Sequence, residues 1–407
     1  MHRWFHLKEG FSCDLLEQVV RDVGFSSGRR LRILDPFAGG GTTAVSACDL
    51  VTGGKRNVEC VHGIETNPFL RLVAHAKLAA LQKPPADFAK VAGRVAARAM
   101  NKRVDAAATP KLTTFHRSAH FNRQDLEALL RLKASIDVEA ERRDASPTAI
   151  ALARLALGAS IEPCSGLRRD GRTLRLVEDK VRSVPTEEFL RRVEVIDDDL
   201  MSTPVRIGGS VAKGDARTLK GMRSDAADFD LVLFSPPYPN NIDYTEVYKL
   251  EAWLLGGITS EAEFRAQRMR TLHSHPSLKR ADDYMFTNTR WRGEVDHLIE
   301  PIIDSIPDDR YASARRRLVR GYTDDMMQVL KSAHARMKRG GRLVYVVGNS
   351  LHGSGDDTLL IASDLIIARL AEMVGFQIER IGVARAPQRR RGSEPFLRES
   401  IVFGRKR

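Results

Sequence analysis

The sequence predicts an α/β fold in which a parallel sheet wound with helices is interrupted by two insertions, one mostly helical and one rich in arginine. Three observations lead there. Residues 30–35 read as a short apolar strand, followed by the turn Gly39-Gly40-Gly41-Thr42-Thr43 and a helix from Ala44. A second strand over 58–64 ends at Glu65 and leads through Asn67-Pro68 into helical spacing over 70–81, and a strand–helix–strand–helix start implies parallel pairing. Strand patterns return at 211–215, 229–234 and 340–349, with two more over 377–384 and 399–404 after a helix at 359–373.

Between these lie stretches of other texture. Residues 84–204 carry Ala, Arg and Leu at helical spacing, as in 126–132 and 150–157. Residues 259–322 are polar and Arg-rich without sheet periodicity. The division that follows is 1–83, 84–204, 205–258, 259–322 and 323–407, the first, third and fifth segments sharing one sheet.

A chain of 407 residues with 43% hydrophobic content can bury a core without covalent staples. No run approaches the ~18 uncharged apolar residues of a membrane span, and the N-terminus lacks a signal-peptide stretch, so a cytoplasmic chain is expected. Cys13, Cys48, Cys60 and Cys164 are scattered without a CxxC pair, which argues against both a zinc site and a disulfide framework. A formal charge of +13 makes an anionic partner expected, since such an excess gives salt-dependent, sequence-independent attraction to nucleic-acid phosphates.

The glycine turn lets backbone approach a ligand closely. Gly39-x-Gly41-x-x-Ala44 fits the dinucleotide spacing, while a triphosphate-binding loop is excluded because no Lys-Ser/Thr follows. Asp35 at the strand end would repel a pyrophosphate and suits the amino group of an amino-acid moiety. Glu65 ends the second strand, where a carboxylate can accept two ribose hydroxyls. It follows Asp35 by 30 residues rather than the usual ~20, and the loop 52–56 accounts for the excess. Asp215 ends the third candidate strand and can accept from an adenine amino group. Singly, each reads as a capping or surface carboxylate; three at successive strand ends form a set.

Ser235-Pro236-Pro237-Tyr238 follows the apolar strand 229–234. Two prolines fix two φ angles and remove two donors, so neither helix nor central strand runs through them. The quartet therefore stands at a strand's carboxyl end, where open α/β sheets bind ligands.

"DPFAGGGTT", "GIETNPF", "KGDARTL", "SPPYPNNIDY" and "RLVYVVGNS", in this order, resemble the motif series of S-adenosylmethionine-dependent DNA methyltransferases acting on exocyclic amino groups. "FHLKEGFSCDLLEQVV" is similar to the segment closing over the cofactor's methionine end. The resemblance covers about half the chain and leaves out both insertions; the long gap between Glu65 and Asp215 departs from the family's compact pattern. It implies a Rossmann-like seven-stranded methyltransferase sheet with the last pair antiparallel, S-adenosyl-L-methionine as cofactor and double-stranded DNA as partner. Lys8, Phe11, Ser12, Asp35, Phe37, Gly39, Gly41, Thr42, Glu65 and Asp215 are the cofactor residues it implies.

Ser235, Pro236, Pro237 and Tyr238 would be the catalytic set. Ser235 and the Pro236 carbonyl accept the hydrogens of the target amine, Pro237 stiffens the turn, and Tyr238 stacks on the flipped base by its ring face, its hydroxyl counting for less. Within the family Ser-Pro-Pro-Tyr tends to accompany cytosine and Asp-Pro-Pro-Tyr adenine, so N4 of cytosine is preferred over N6 of adenine. An RNA-base methyltransferase and a noncatalytic DNA-binding module are the rival readings, and a cognate restriction endonuclease is a conceivable partner.

Arg389, Arg390 and Arg391, between two strands at the catalytic end of the sheet, are expected to contact phosphates. Arginines in 265–270 and 315–317 read equally well as solvated faces. The insertion 84–204 is expected to serve recognition or structure, and 259–322 to contact DNA. Pro163-Cys164 matches the nucleophile dipeptide of carbon-5 cytosine methyltransferases but sits in the helical insertion, so Cys164 reads as structural. His273-Ser274-His275 lacks further ligands at metal spacing.

Overall fold

A chain that winds outward from a central strand and then returns to its other side opens a crevice at the reversal, and this sheet does so. The computed structural model describes residues 1–407 apart from 8–9, 26–27, 171–172, 202–206, 223–225, 241, 279, 281–282, 355–356 and 387–396. Seven strands form one sheet: β1 (Leu31–Asp35), β2 (Val58–Glu65), β3 (Gly208–Lys213), β4 (Phe229–Phe234), β5 (Met337–Gly348), β6 (Phe376–Arg385) and β7 (Glu399–Lys406). Their order is β6-β7-β5-β4-β1-β2-β3. Only β7 is antiparallel to its neighbours. The chain reverses between β1 and β4, which is the switch point where such sheets bind ligands. All six residues of β4 are buried, as a central parallel strand covered on both faces requires.

Helices α1 (Leu15–Val23), α2 (Thr42–Thr52) and α3 (Pro68–Gln82) pack on the first strands. Asn67 starts α3 by accepting from the amides of Phe69 and Leu70, with Pro68 preset for the first turn. The first insertion forms α4 (Phe88–Met100), α5 (Arg123–Ala140), α6 (Pro147–Ile161) and α7 (Pro185–Met201) with a small hairpin, Leu167–Arg169 and Leu174–Leu176. It is not a separate body. Phe69 and Val73 of α3, Phe88 and Leu152 of the insertion and Trp253 after the quartet share one apolar cluster.

The second insertion is helical too, with α8 (Glu261–Met269), α9 (Arg292–Asp304) and α10 (Ala312–Arg336). The expected boundary at 322 is thus corrected: α10 runs through it. Its Leu318, Tyr322, Met326 and Leu330 join the core that holds Phe229 of β4 and Tyr345 of β5. The arginine run hid that period, because Arg315 is itself buried, its guanidinium donating to Asp309 at 2.8 Å. The helix expected over 359–373 begins later, as α11 (Ser363–Met373); residues Asp357–Ile361 pair instead with Ser350–Ser354. No helix among the described residues is long and apolar enough to cross a membrane.

Candidate active site

At the carboxyl ends of β1 to β4 a cavity of about 910 Å³ opens, within the ~300–1,000 Å³ typical of small-ligand sites. Asp35, Glu65 and Asp215 line it from successive strands, and Ser235, Pro236, Pro237 and Tyr238 line it after β4. Phe37, Gly39 and Thr42 come from the first turn, and Phe11 and Ser12 from the N-terminal segment. Two expected groups are not placed there: Lys8, and Arg389, Arg390 and Arg391, lie outside the described residues. Gly41 does not line the cavity either. Its φ is +81° and a Cβ there would come 3.0 Å from the Ala74 Cα, so it serves the packing of the turn on α3.

The N-terminal segment lies across the glycine turn. A Cβ on Gly39, whose φ is +50°, would meet Leu7 Cδ2 at 3.1 Å. Beneath it, Asp35 is 2% exposed and accepts from the Phe37 amide at 2.9 Å and the Thr43 hydroxyl at 2.5 Å. Burial outweighs both bonds and pushes its carboxyl up to about 6. Glu65 accepts from the Asn67 amide at 2.6 Å through one oxygen and from the Gly39 amide at 2.9 Å through the other. Burial, with the nearby charge of Asp35, pushes it up to about 7. Two carboxyls held above their ordinary range favour a ligand bearing cationic and hydroxyl donors.

Asp215 is not open. Arg217 clamps it through Nε at 2.9 Å and Nη2 at 2.7 Å, and reaches Asp325 at 3.0 Å. The quartet is held as firmly. The Pro239 carbonyl lies 2.8 Å from Nε2 of buried His352, and the Tyr238 amide donates to the Tyr244 hydroxyl at 3.3 Å. Ser235 Oγ stands 3.4 Å from the Tyr238 hydroxyl, which donates to Glu399 Oε1 at 2.7 Å.

No family model matches the chain. It is 25% identical over 413 residues to Type II methyltransferase M.AvaI of Nostoc sp. strain PCC 7120, covering 93% of this chain and 80% of that one. To Type II methyltransferase M.BsoBI of Geobacillus stearothermophilus it is 24% identical over 435 residues, covering 93% and 79%. These relatives support the S-adenosylmethionine-dependent DNA methyltransferase family. Among solved structures, the rRNA methyltransferase aviRa from Streptomyces viridochromogenes aligns at a TM-score of 0.33 and 10% identity, over 97% of this chain and 85% of that one. TrmN from Thermus thermophilus aligns at 0.32 and 10%, over 100% and 53%. Both likenesses are too loose to build on.

Three residues outside the expected set brace this site. Arg217 had a signal, an Asp-x-Arg spacing at a strand end that lets the guanidinium fold back on the carboxylate. Glu399 and His352 had none, because each arrives from a strand more than 110 residues after the quartet. The Tyr238 hydroxyl, expected to count for less than the ring face, is bonded to Glu399. The decoys resolve as structure: Cys164 is fully buried, its thiol pushed up to about 12 by burial, and His273 gives its amide and ring Nδ1 to Asp325 at 2.7 and 2.9 Å.

Proposed function

We propose that this methyltransferase transfers a methyl group from S-adenosylmethionine to the exocyclic amino group of a base flipped out of double-stranded DNA, N4 of cytosine in preference to N6 of adenine. One observation carries the reading. The buried carboxyl of Asp35 and the half-buried one of Glu65, at the ends of β1 and β2, share a single cavity with a rigid acceptor turn at the end of β4, on the two sides of the sheet's switch point.

The residues fit the cofactor. Asp35 suits its amino group, and Glu65 keeps lone pairs for the ribose hydroxyls after accepting two backbone amides. The side-chain-free turn at Gly39 admits the ligand's body beneath Leu7. Asp215, already clamped by Arg217, retains acceptor capacity toward an adenine amino group. When bound, S-adenosylmethionine supplies an electrophilic methyl on sulfur.

An exocyclic amine is a poor nucleophile because its lone pair is delocalised into the ring. Ser235 Oγ and the Pro236 carbonyl accept its hydrogens and localise that lone pair, and the two prolines keep those acceptors from yielding. Tyr238 stacks on the extruded base. The excess of basic residues supplies general attraction to phosphates. A partner endonuclease belongs to the same reading.

The test is transfer of labelled methyl from S-adenosylmethionine to a long unmethylated phage duplex, which offers many short recognition sequences, and in parallel to total bacterial RNA, each followed by nucleoside analysis. N4-methylcytosine is expected. N6-methyladenine would move the target to adenine, label entering RNA alone would replace the substrate, and no label in either would refute the proposal.

A further inference from the structure

We infer that Glu399 is a positioning residue that sets the polarity of the catalytic turn through Tyr238; the inference rests on the proposed function. A serine hydroxyl asked to accept from an amine must first dispose of its own hydrogen. Here it has a place to send it.

Sheet register builds the arrangement. Gly348 at the end of β5 pairs with Glu399 at the start of β7. The Tyr238 ring lies on Gly348, where a Cβ would come within 2.8 Å of ring carbons Cδ2 and Cε2. Residues opposite one another in an antiparallel pair stand ~4.5–5.5 Å apart, so a ring crossing one strand at its glycine delivers its hydroxyl to the carboxylate on the next. The phenol donates its single hydrogen to Glu399 Oε1 at 2.7 Å. Glu399 Oε2 faces Nε of Arg385, its partner at the end of β6, at 3.6 Å.

The chemistry follows from what each group can still do. A carboxylate only accepts, so the phenol hydrogen is committed to Glu399 and the phenol oxygen is left to accept. Ser235 Oγ lies 3.4 Å away and donates to it. Both lone pairs of Ser235 are then free for the target amine. Each bond thus points the same way, from Ser235 through Tyr238 to Glu399, and the separation of 3.4 Å has room to shorten when a base fills the site. Glu399 lines the same cavity, and the role assigned to it is exercised through the two residues before it.

The experiment uses the full chain, labelled S-adenosylmethionine and the phage duplex. Wild-type incorporation comes first: with none, the proposed function fails and this role falls with it. Given wild-type activity, Glu399→Ala and Tyr238→Phe are each expected to lower kcat about tenfold, as loss of one hydrogen bond to a charged group would. The KM for DNA should stay within about twofold, because the stacking ring remains, and cofactor affinity by calorimetry should equal wild type, which also reports an intact fold. The double variant should be no worse than the poorer single one, since both break the same chain. Glu399→Gln should stay within about threefold of wild type, its amide oxygen still accepting. Wild-type turnover by Tyr238→Phe, additive losses in the double variant, or Glu399→Gln as impaired as Glu399→Ala would each overturn the inference.

Discussion

Glu65 offers the sharpest test of the cofactor end of the site, and Glu65→Gln is the perturbation of choice. A carboxylate has about four lone-pair positions, of which the Gly39 and Asn67 amides take one on each oxygen. The capacity left over is what the proposed function assigns to the two ribose hydroxyls of the cofactor. Glutamine keeps the length of the side chain but offers one acceptor oxygen and no charge, so at least one charge-assisted bond is lost. Such a bond is worth about 1.5–3 kcal/mol, or roughly 10- to 150-fold in affinity at ~1.4 kcal/mol per decade. Calorimetric titration with S-adenosylmethionine at pH 8, where the wild-type carboxyl is ionised, reads the loss directly, with circular dichroism to confirm the fold. A change well under tenfold would remove Glu65 from the ribose and leave it as a cap for the glycine turn.

Because Asp35 and Glu65 sit at about 6 and about 7, bound donors that favour their ionised forms must draw protons off them. Affinity for the cofactor should therefore rise between about pH 5.5 and 7.5, and titration near pH 6.5 in buffers of different ionisation enthalpy should show proton release; a flat profile without release sinks the electrostatic account of the pocket. Ser235→Ala should depress the single-turnover chemical step while cofactor and DNA binding persist, because its acceptor matters most as charge develops on the nitrogen; a wild-type rate would make the quartet a structural turn. Neutralising Arg389, Arg390 and Arg391 together should weaken binding to every duplex and flatten the salt dependence by about one unit for each phosphate no longer neutralised. An unchanged slope would place the DNA-binding surface elsewhere.

Local chemistry was legible in the sequence where one residue's role is decided by its neighbours in the chain. Asp35, Gly39 and Glu65 stand at the strand–turn–helix junctions that their spacing marks, and β4 is the buried strand that its apolar run announces. What was hidden depends on sheet order. Glu399 reaches Tyr238 only because β7 inserts between β5 and β6 with Gly348 opposite it, a register no local pattern encodes. The helical period of α10 was masked for a different reason: a long side chain such as Arg315 can lie buried with its charge satisfied by Asp309, so a charged letter does not mark an exposed position.

The two insertions read as attachments in the sequence, yet they converge on the loop that follows the quartet. From the first, Arg169 donates through Nε to the Val247 carbonyl at 3.1 Å, pairs with buried Glu251, and lies 5.1 Å from the Tyr248 ring centroid and 5.5 Å from that of Phe5. From the second, Arg268 binds Asp243 through Nε at 2.9 Å, and Gln267 reaches the Thr66 carbonyl, next to Glu65, at 2.8 Å. Burial pushes the Glu251 carboxyl up while Arg169 pulls it back. A pair taken out of water in this way strands a buried charge if either partner is lost, a cost of about 3–5 kcal/mol against ~0–1 for an exposed pair. The segment carrying Tyr244, whose hydroxyl receives the Tyr238 amide, is thereby clamped from both sides. An acceptor turn can localise a lone pair only if it does not yield when the base arrives, and these insertions supply that rigidity from outside the sheet. This favours a structural role for residues 84–204 over one in reading DNA.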